Sequence, residues 1–293
     1  MRKIGVITDS HSGITREEAE KLAVAVLPMP FFCGEESFYE GVSITRDFFF
    51  EKLNAGEKVS TSQASPADVM QIWRDELEKY EQVIFIPLSS GLSGACQSAM
   101  MLAQEEEFEG RVFVVDNCRI SVPMYQSVLD ALELIEEGYS AEKVKEILEK
   151  ERDKMSIYIA VETLEFLKKG GRISASSAAI GTALNIKPIL KCETESLFAY
   201  KKSRGMKKAK KEMLEAMKHD MEVTFKEYYD RGDFCLMAAT SADEETTAAW
   251  VGEIKEYFPG MEVVSAPLTL GICCHTGEGA LGIGCACRPK RDV

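Results

Sequence analysis

A run long and apolar enough to cross a bilayer is missing from this chain. The longest apolar stretch, 23–33, is interrupted by Pro28 and Pro30, and it falls well short of the ~20 residues that a spanning helix needs. The first residues offer only Ile4-Gly5-Val6-Ile7 before Thr8-Asp9, too little for the apolar core of an export signal. Positive charge is in deficit: 35 Lys and Arg stand against 48 Asp and Glu, a formal net charge of −13. Such a field repels phosphate backbones and anionic surfaces, so neither nucleic acid nor integral membrane association is expected. The nine cysteines are odd in number and nowhere spaced C-x₂-C, which excludes a regular disulfide framework and fits a reducing, cytoplasmic setting. Cys273, Cys274, His275, Cys285 and Cys287 lie near one another in sequence. Without zinc-site spacing they read as small buried hydrophobes, and no metal is expected. Walker A, G-x-G-x-x-G and H-E-x-x-H patterns are also missing, so nothing points to nucleotide binding by this chain.

What is present is an ordinary globular balance, 45% apolar and 28% charged, over a length that fits two domains. Residues 3–8 read as a buried strand, and Thr15 with Glu18 has the spacing of a capping box. Ser65-Pro66 marks a helix start; a strand at 83–87, a helix from 93 to 105, a strand at 111–116 and a helix reaching 137 follow. Ser140 caps a further charged helix to about 154. This alternation predicts a parallel sheet with helices on both faces. From 156 the texture changes: strands at 156–161, 186–190 and 198–202, a lysine-rich helix, strands at 235–239, 263–266 and 281–286, and a helix around Trp250. The expected fold is therefore α/β, with an N-terminal parallel-sheet domain over 1–155 and a C-terminal α/β domain with a mixed sheet over 156–293.

Three hydroxyl- and glycine-rich segments follow or flank these strands: Thr61-Ser62-Gln63-Ala64-Ser65-Pro66, Ser89-Ser90-Gly91-Leu92-Ser93-Gly94 and His275-Thr276-Gly277-Glu278-Gly279. Ligands of open α/β sheets gather at the carboxyl ends of strands. A helix opening at Ser93-Gly94 would offer free N–H groups to an anion, although Ser and Thr at helix starts ordinarily serve as caps. Ser93, Asp116 and His275 also occur in the Ser…Asp…His order of α/β-hydrolases, which admits a serine hydrolase of acyl esters as an alternative. Gly91-Leu92-Ser93-Gly94-Ala95 lacks the last glycine of the nucleophile elbow.

Taken in this order and at these separations, the three segments resemble the DegV family of fatty-acid-binding proteins. Thr8-Asp9-Ser10, Gln97-Ser98-Ala99, Leu167-Lys168-Lys169-Gly170-Gly171-Arg172-Ile173-Ser174 and Lys187-Pro188-Ile189-Leu190 carry the likeness further along the chain. The resemblance implies a long-chain fatty acid, such as palmitate, held between two domains with its acyl chain in an apolar tunnel. It implies a carboxylate seat at Thr61, Ser93 and His275, with Ser62, Gly94 and Thr276 beside them. It also implies a non-catalytic role, in some members as the binding subunit of a fatty acid kinase, whose separate ATP-binding subunit phosphorylates the bound acid. Arg204, then Arg172, are the residues expected to support that partner. The sequence departs from the family pattern at Ala64, at Ala95-Cys96, at Asn117 and at Glu278, where a proline is usual. A carboxylate at 278 would raise the pKa of His275 if close, or repel the ligand head group if turned inward. Ile180 and Leu184 are candidates for the tunnel wall.

Overall fold

β1 (Ile4–Asp9) is buried along its whole length, as a strand covered on both faces of a parallel sheet must be. The computed structural model describes residues 3–173, 185–193 and 196–290. After β1 come α1 (Arg16–Leu22), β2 (Ala25–Leu27), β3 (Phe31–Cys33), β4 (Glu36–Phe38), α2 (Arg46–Asn54), β5 (Val59–Thr61), α3 (Pro66–Leu77), β6 (Gln82–Ile86), α4 (Ala95–Leu102), β7 (Val112–Val114), α5 (Ser121–Glu136) and α6 (Ala141–Lys150). The second half holds β8 (Met155–Ala160), α7 (Glu165–Lys169), β9 (Ile186–Glu193), β10 (Ser196–Arg204), α8 (Met206–His219), α9 (Lys226–Asp230), β11 (Phe234–Thr240), α10 (Glu244–Tyr257), β12 (Val263–Pro267), α11 (Leu270–Thr276) and β13 (Leu281–Cys287).

The local start signals act as expected. Thr15 and Glu18 form both halves of a capping box on α1, Ser65 accepts the Asp68 N–H ahead of Pro66 on α3, and Ser140 caps α6. Strands β2-β1-β6-β7 form a parallel sheet. The order β10-β9-β8-β13-β11-β12 makes a mixed sheet in which only β11 and β12 run parallel. β9 and β10 are the expected hairpin, longer than its sequence pattern indicated and bulged between Ala199 and Lys201.

A third sheet, β4-β3-β5, is antiparallel and was not foreseen. Its strands are three residues long, too short for alternation to register. It decides where Thr61 goes. Phe31 on β3 and Phe49 on α2 are 1% and 0% exposed, and they enter one apolar cluster with Ile159, Leu167, Leu190 and Leu270. Their rings meet edge to face at 5.5 Å. Burying two such rings contributes roughly 3–6 kcal/mol, so the small sheet and α2 pack onto the C-terminal half of the chain. β5 ends at Thr61 against that surface.

Candidate functional site

Thr61 and His275 lie 214 residues apart and meet at 2.9 Å, Oγ1 to Nε2. His275 stands in the last turn of α11, behind Thr269 as N-cap residue, and its segment runs from that helix end toward β13. The first turn of α11 is fixed by Glu40, whose carboxylate accepts the Leu270 N–H at 2.7 Å. Arg46 adds a bond from Nη1 to the Leu268 carbonyl at 2.7 Å. On its other edge, His275 Nδ1 is buried without a hydrogen-bond partner. Gly170 packs there: a Cβ on it would stand 2.1 Å from Nδ1.

Burial, then the positive charge of Arg172 and of His11, holds the His275 pKa down to about 4. The ring is therefore neutral at pH 7, and with the Thr61 hydroxyl it forms a chain of one O–H and one N–H that can turn toward an anion. The same shift makes stability depend on pH. The unfolded imidazole takes up a proton below its ordinary 6.5, whereas the folded one resists until about 4. Stability is thus complete above pH 6.5 and declines as pH falls toward 4, by on the order of 3 kcal/mol. Urea unfolding of the wild type and of His275→Asn at pH 7 and pH 4.5 checks this: acid lowers the wild-type midpoint more than that of the variant.

Ser93 and Gly94 face an open pocket of about 540 Å³, shared with Arg172, Leu92, Leu197 and Phe198. The predicted start of α4 at Ser93 is corrected: the helix begins at Ala95, with Gly94 as N-cap residue and no side-chain cap. Ser93 Oγ accepts the Ala95 N–H at 3.2 Å, so it sits in a turn ahead of the helix. The N–H groups of Leu92 and Ser93 both return to the Ser89 carbonyl at 3.1 Å. Arg172 donates to the Leu92 carbonyl at 3.4 Å and to the Gly170 carbonyl at 2.5 Å, which links this loop to the glycine behind His275. Gln63 Oε1 accepts from Ser98 Oγ at 3.3 Å and lies 3.6 Å from where a Cβ on Gly94 would be. The segments containing Thr61, Ser93 and His275 are thereby joined in one ring of contacts.

An apolar cavity of about 90 Å³ adjoins this pocket, and Leu92 and Leu197 wall both. Its floor is one face of the mixed sheet, including Ile157, Ile159 and Met237, and it is closed by the start of α5 and by Ile272 of α11. Ser121, at the head of α5, adopts a left-handed φ of 57°, an uncommon backbone state outside glycine.

The other expected residues fall as follows. Ser62 is exposed and donates to the Gln63 carbonyl at 3.1 Å. Thr276 lines the cavity, its hydroxyl held by the Ile272 and Gly277 carbonyls at 3.4 and 3.3 Å. Arg204 is exposed at the end of β10, seven residues beyond Leu197 and so roughly 20 Å from it along the strand. Glu278 is exposed and accepts from Asn54 Nδ2 at 2.7 Å, and it is not among the groups that shift the His275 pKa, which moves down. Ile180 and Leu184 lie outside the described residues. The hydrolase alternative has no support in the contacts. Asp116 accepts from the N–H groups of Ser90 and Cys118, while Ser93 and His275 have the partners given above.

Cys273, Cys274, Cys285 and Cys287 are buried, and burial pushes their thiols above the ordinary range, Cys273 and Cys287 to about 12. Among the described residues no group of three or more His, Cys, Asp or Glu is placed to hold a metal ion. None of the helices of the described residues is long and apolar enough to cross a membrane. Glu40 and Arg46, which anchor α11, were missed from sequence. Their partners are backbone groups at the start of α11 and just ahead of it, more than 200 residues away, and no spacing rule signals such a contact.

The family model described as an uncharacterised protein of the DegV family matches residues 3–288. A DegV domain-containing protein of Deinococcus radiodurans is 32% identical over 284 residues, 96% of this chain and 97% of that protein. Two solved structures superpose along almost the whole length. One, a DegV family protein from Thermus thermophilus described as binding fatty acid, is 35% identical with a TM-score of 0.85, over 98% of this chain and 100% of its own. The other, DegV of Bacillus subtilis, described as a fatty-acid-binding protein, is 27% identical with a TM-score of 0.81, over 98% and 100%.

Proposed function

The chain belongs to the DegV family, and on that premise we propose that it binds a long-chain fatty acid. The carboxylate lies at Thr61, Ser93 and His275, with the backbone of Gly94 beside it, and the acyl chain fills the apolar cavity. One observation carries this reading: the hydroxyl-lined pocket and the apolar cavity share Leu92 and Leu197 as a common wall, the layout that an amphipathic acid requires. The fatty acid described for the Thermus thermophilus protein, 35% identical over nearly the full chain, supports the same ligand class. Each buried methylene adds about 0.8 kcal/mol, so a long chain outweighs the ordering cost of binding without a buried cation at the head group.

The finer reading is a non-catalytic, cytoplasmic binding subunit whose two units, 1–155 and 156–293, enclose the acid and present its carboxylate to a fatty acid kinase. A carboxylate held by hydroxyls and a neutral imidazole keeps its nucleophilic oxygen. That oxygen attacks the γ-phosphorus of ATP on the partner, ADP leaves, and an acyl phosphate forms. Arg172, beside Ser93 in an open pocket, and the exposed Arg204 are the cations that would meet the donor's phosphates.

Protein purified without added lipid should release fatty acid on organic extraction, detected by mass spectrometry. An empty protein that also ignores added palmitate would sink the reading. ATP-dependent loss of the bound acid on adding the kinase subunit separates a kinase component from a storage protein.

A further inference from the structure

We propose that His11 is a positioning residue for the carboxylate site: held by Asp9, it braces the loop of Ser93 against the helix of His275. The inference rests on the fatty-acid reading. Asp9 ends β1 and is 1% exposed. Its Oδ2 accepts the Leu88 N–H at 2.7 Å, and its Oδ1 accepts the His11 N–H at 2.9 Å and faces His11 Nδ1 at 3.0 Å. Leu88 opens the turn that folds back on Ser89 and delivers Ser93. One carboxylate therefore fixes the start of the Ser93 loop with one oxygen and the His11 ring with the other.

The far edge of that ring meets α11. A Cβ added to Gly271 would stand 2.9 Å from His11 Nε2, so the imidazole rests on helix backbone where a side chain leaves no room. His275 is four residues on, on the same face of α11 one turn later. The Leu270 N–H beside Gly271 is already committed to Glu40, and the Leu268 C=O ahead of the helix to Arg46. His11 thus touches both Asp9, which fixes the Ser93 loop, and the helix that carries His275. The buried ring (6% exposed) sets the spacing between two of the three carboxylate-holding side chains without contacting the ligand.

Palmitate and hexadecanol share an acyl chain and differ in head group, so together they separate positioning from general damage. Both are titrated into wild type, His11→Ala, His11→Asn, Gly271→Ala and the double variant His11→Ala/Gly271→Ala, with a urea midpoint for each. His11→Ala should weaken palmitate about tenfold, the value of one ordinary hydrogen bond, and leave hexadecanol unchanged. His11→Asn, whose amide nitrogen still reaches Asp9 Oδ1, should stay near wild type. Gly271→Ala should weaken palmitate by displacing the ring, and adding His11→Ala should then bring no further loss. Equal losses for both ligands, a His11→Asn defect as large as that of His11→Ala, or additive losses in the double variant would overturn the proposal. If His11→Ala does not fold, Gly271→Ala and His11→Asn decide by the same head-group contrast. A wild type that binds neither ligand overturns the fatty-acid reading itself; a wild type that binds both, with every variant unchanged, overturns only the brace.

Discussion

Palmitate affinity should fall roughly 10- to 100-fold in Ser93→Ala and in Thr61→Ala, the value of one hydrogen bond to a charged group. Thr61→Ala has a second consequence, because it leaves His275 Nε2 without the partner it holds at 2.9 Å. With Nδ1 already unpartnered, both ring nitrogens are then stranded in a half-buried position. Thr61→Ala and His275→Ala act on one bond, so their losses should not add. Hexadecanol, which offers no carboxylate, should bind wild type and Ser93→Ala alike. The bound carboxylate should also raise the His275 titration from about 4, since a nearby negative charge favours the imidazolium. Titration calorimetry with both ligands, and the ¹H–¹³C signals of the ring with and without palmitate, check these outcomes. Unchanged palmitate affinity in both alanine variants would remove Thr61 and Ser93 from the site.

Ala239→Phe should abolish tight binding of long acids while sparing short ones. Along β11, Leu236 and Ala238 enter the core under α8 and α10; Ala239, of opposite parity, packs instead beside Ile159 and Met237 and lines the cavity. A phenyl ring there occupies the space of about four methylenes, which removes roughly 3 kcal/mol, or about a hundredfold in palmitate affinity. Octanoate, whose chain ends sooner, should lose little. Ala239 borders open space, so overpacking should shift the urea midpoint less than in a filled core. Equal losses for palmitate and octanoate would mean that the acyl chain runs elsewhere.

Much of the architecture is legible in the chain itself, and the reason is local. The Thr15/Glu18 box, Ser65-Pro66 and Ser140 act within four residues of themselves. The buried strands 4–9 and 82–86 are long enough to show in composition. The region 23–60 could not be read in that way. Its strands are three residues long, and they exist because Phe31 and Phe49 have a cluster from the other half of the chain to enter. α11 was hidden for a related reason: it is seven residues long, contains Gly271, and is held by Glu40 and Arg46 from far upstream.

For the site, sequence determined the chemistry on offer, three segments of hydroxyls and glycines and one histidine, and the likeness of their order to a fatty-acid-binding family. Only the tertiary structure decided their arrangement. It bonds Thr61 to His275, places Ser93 ahead of a helix rather than at its cap, and turns Glu278 outward to Asn54. It also depresses the pKa of the imidazole by burial beside Arg172. Propensities and caps are settled within a turn or two of chain, whereas desolvation and contacts across 214 residues do not exist until the core has closed.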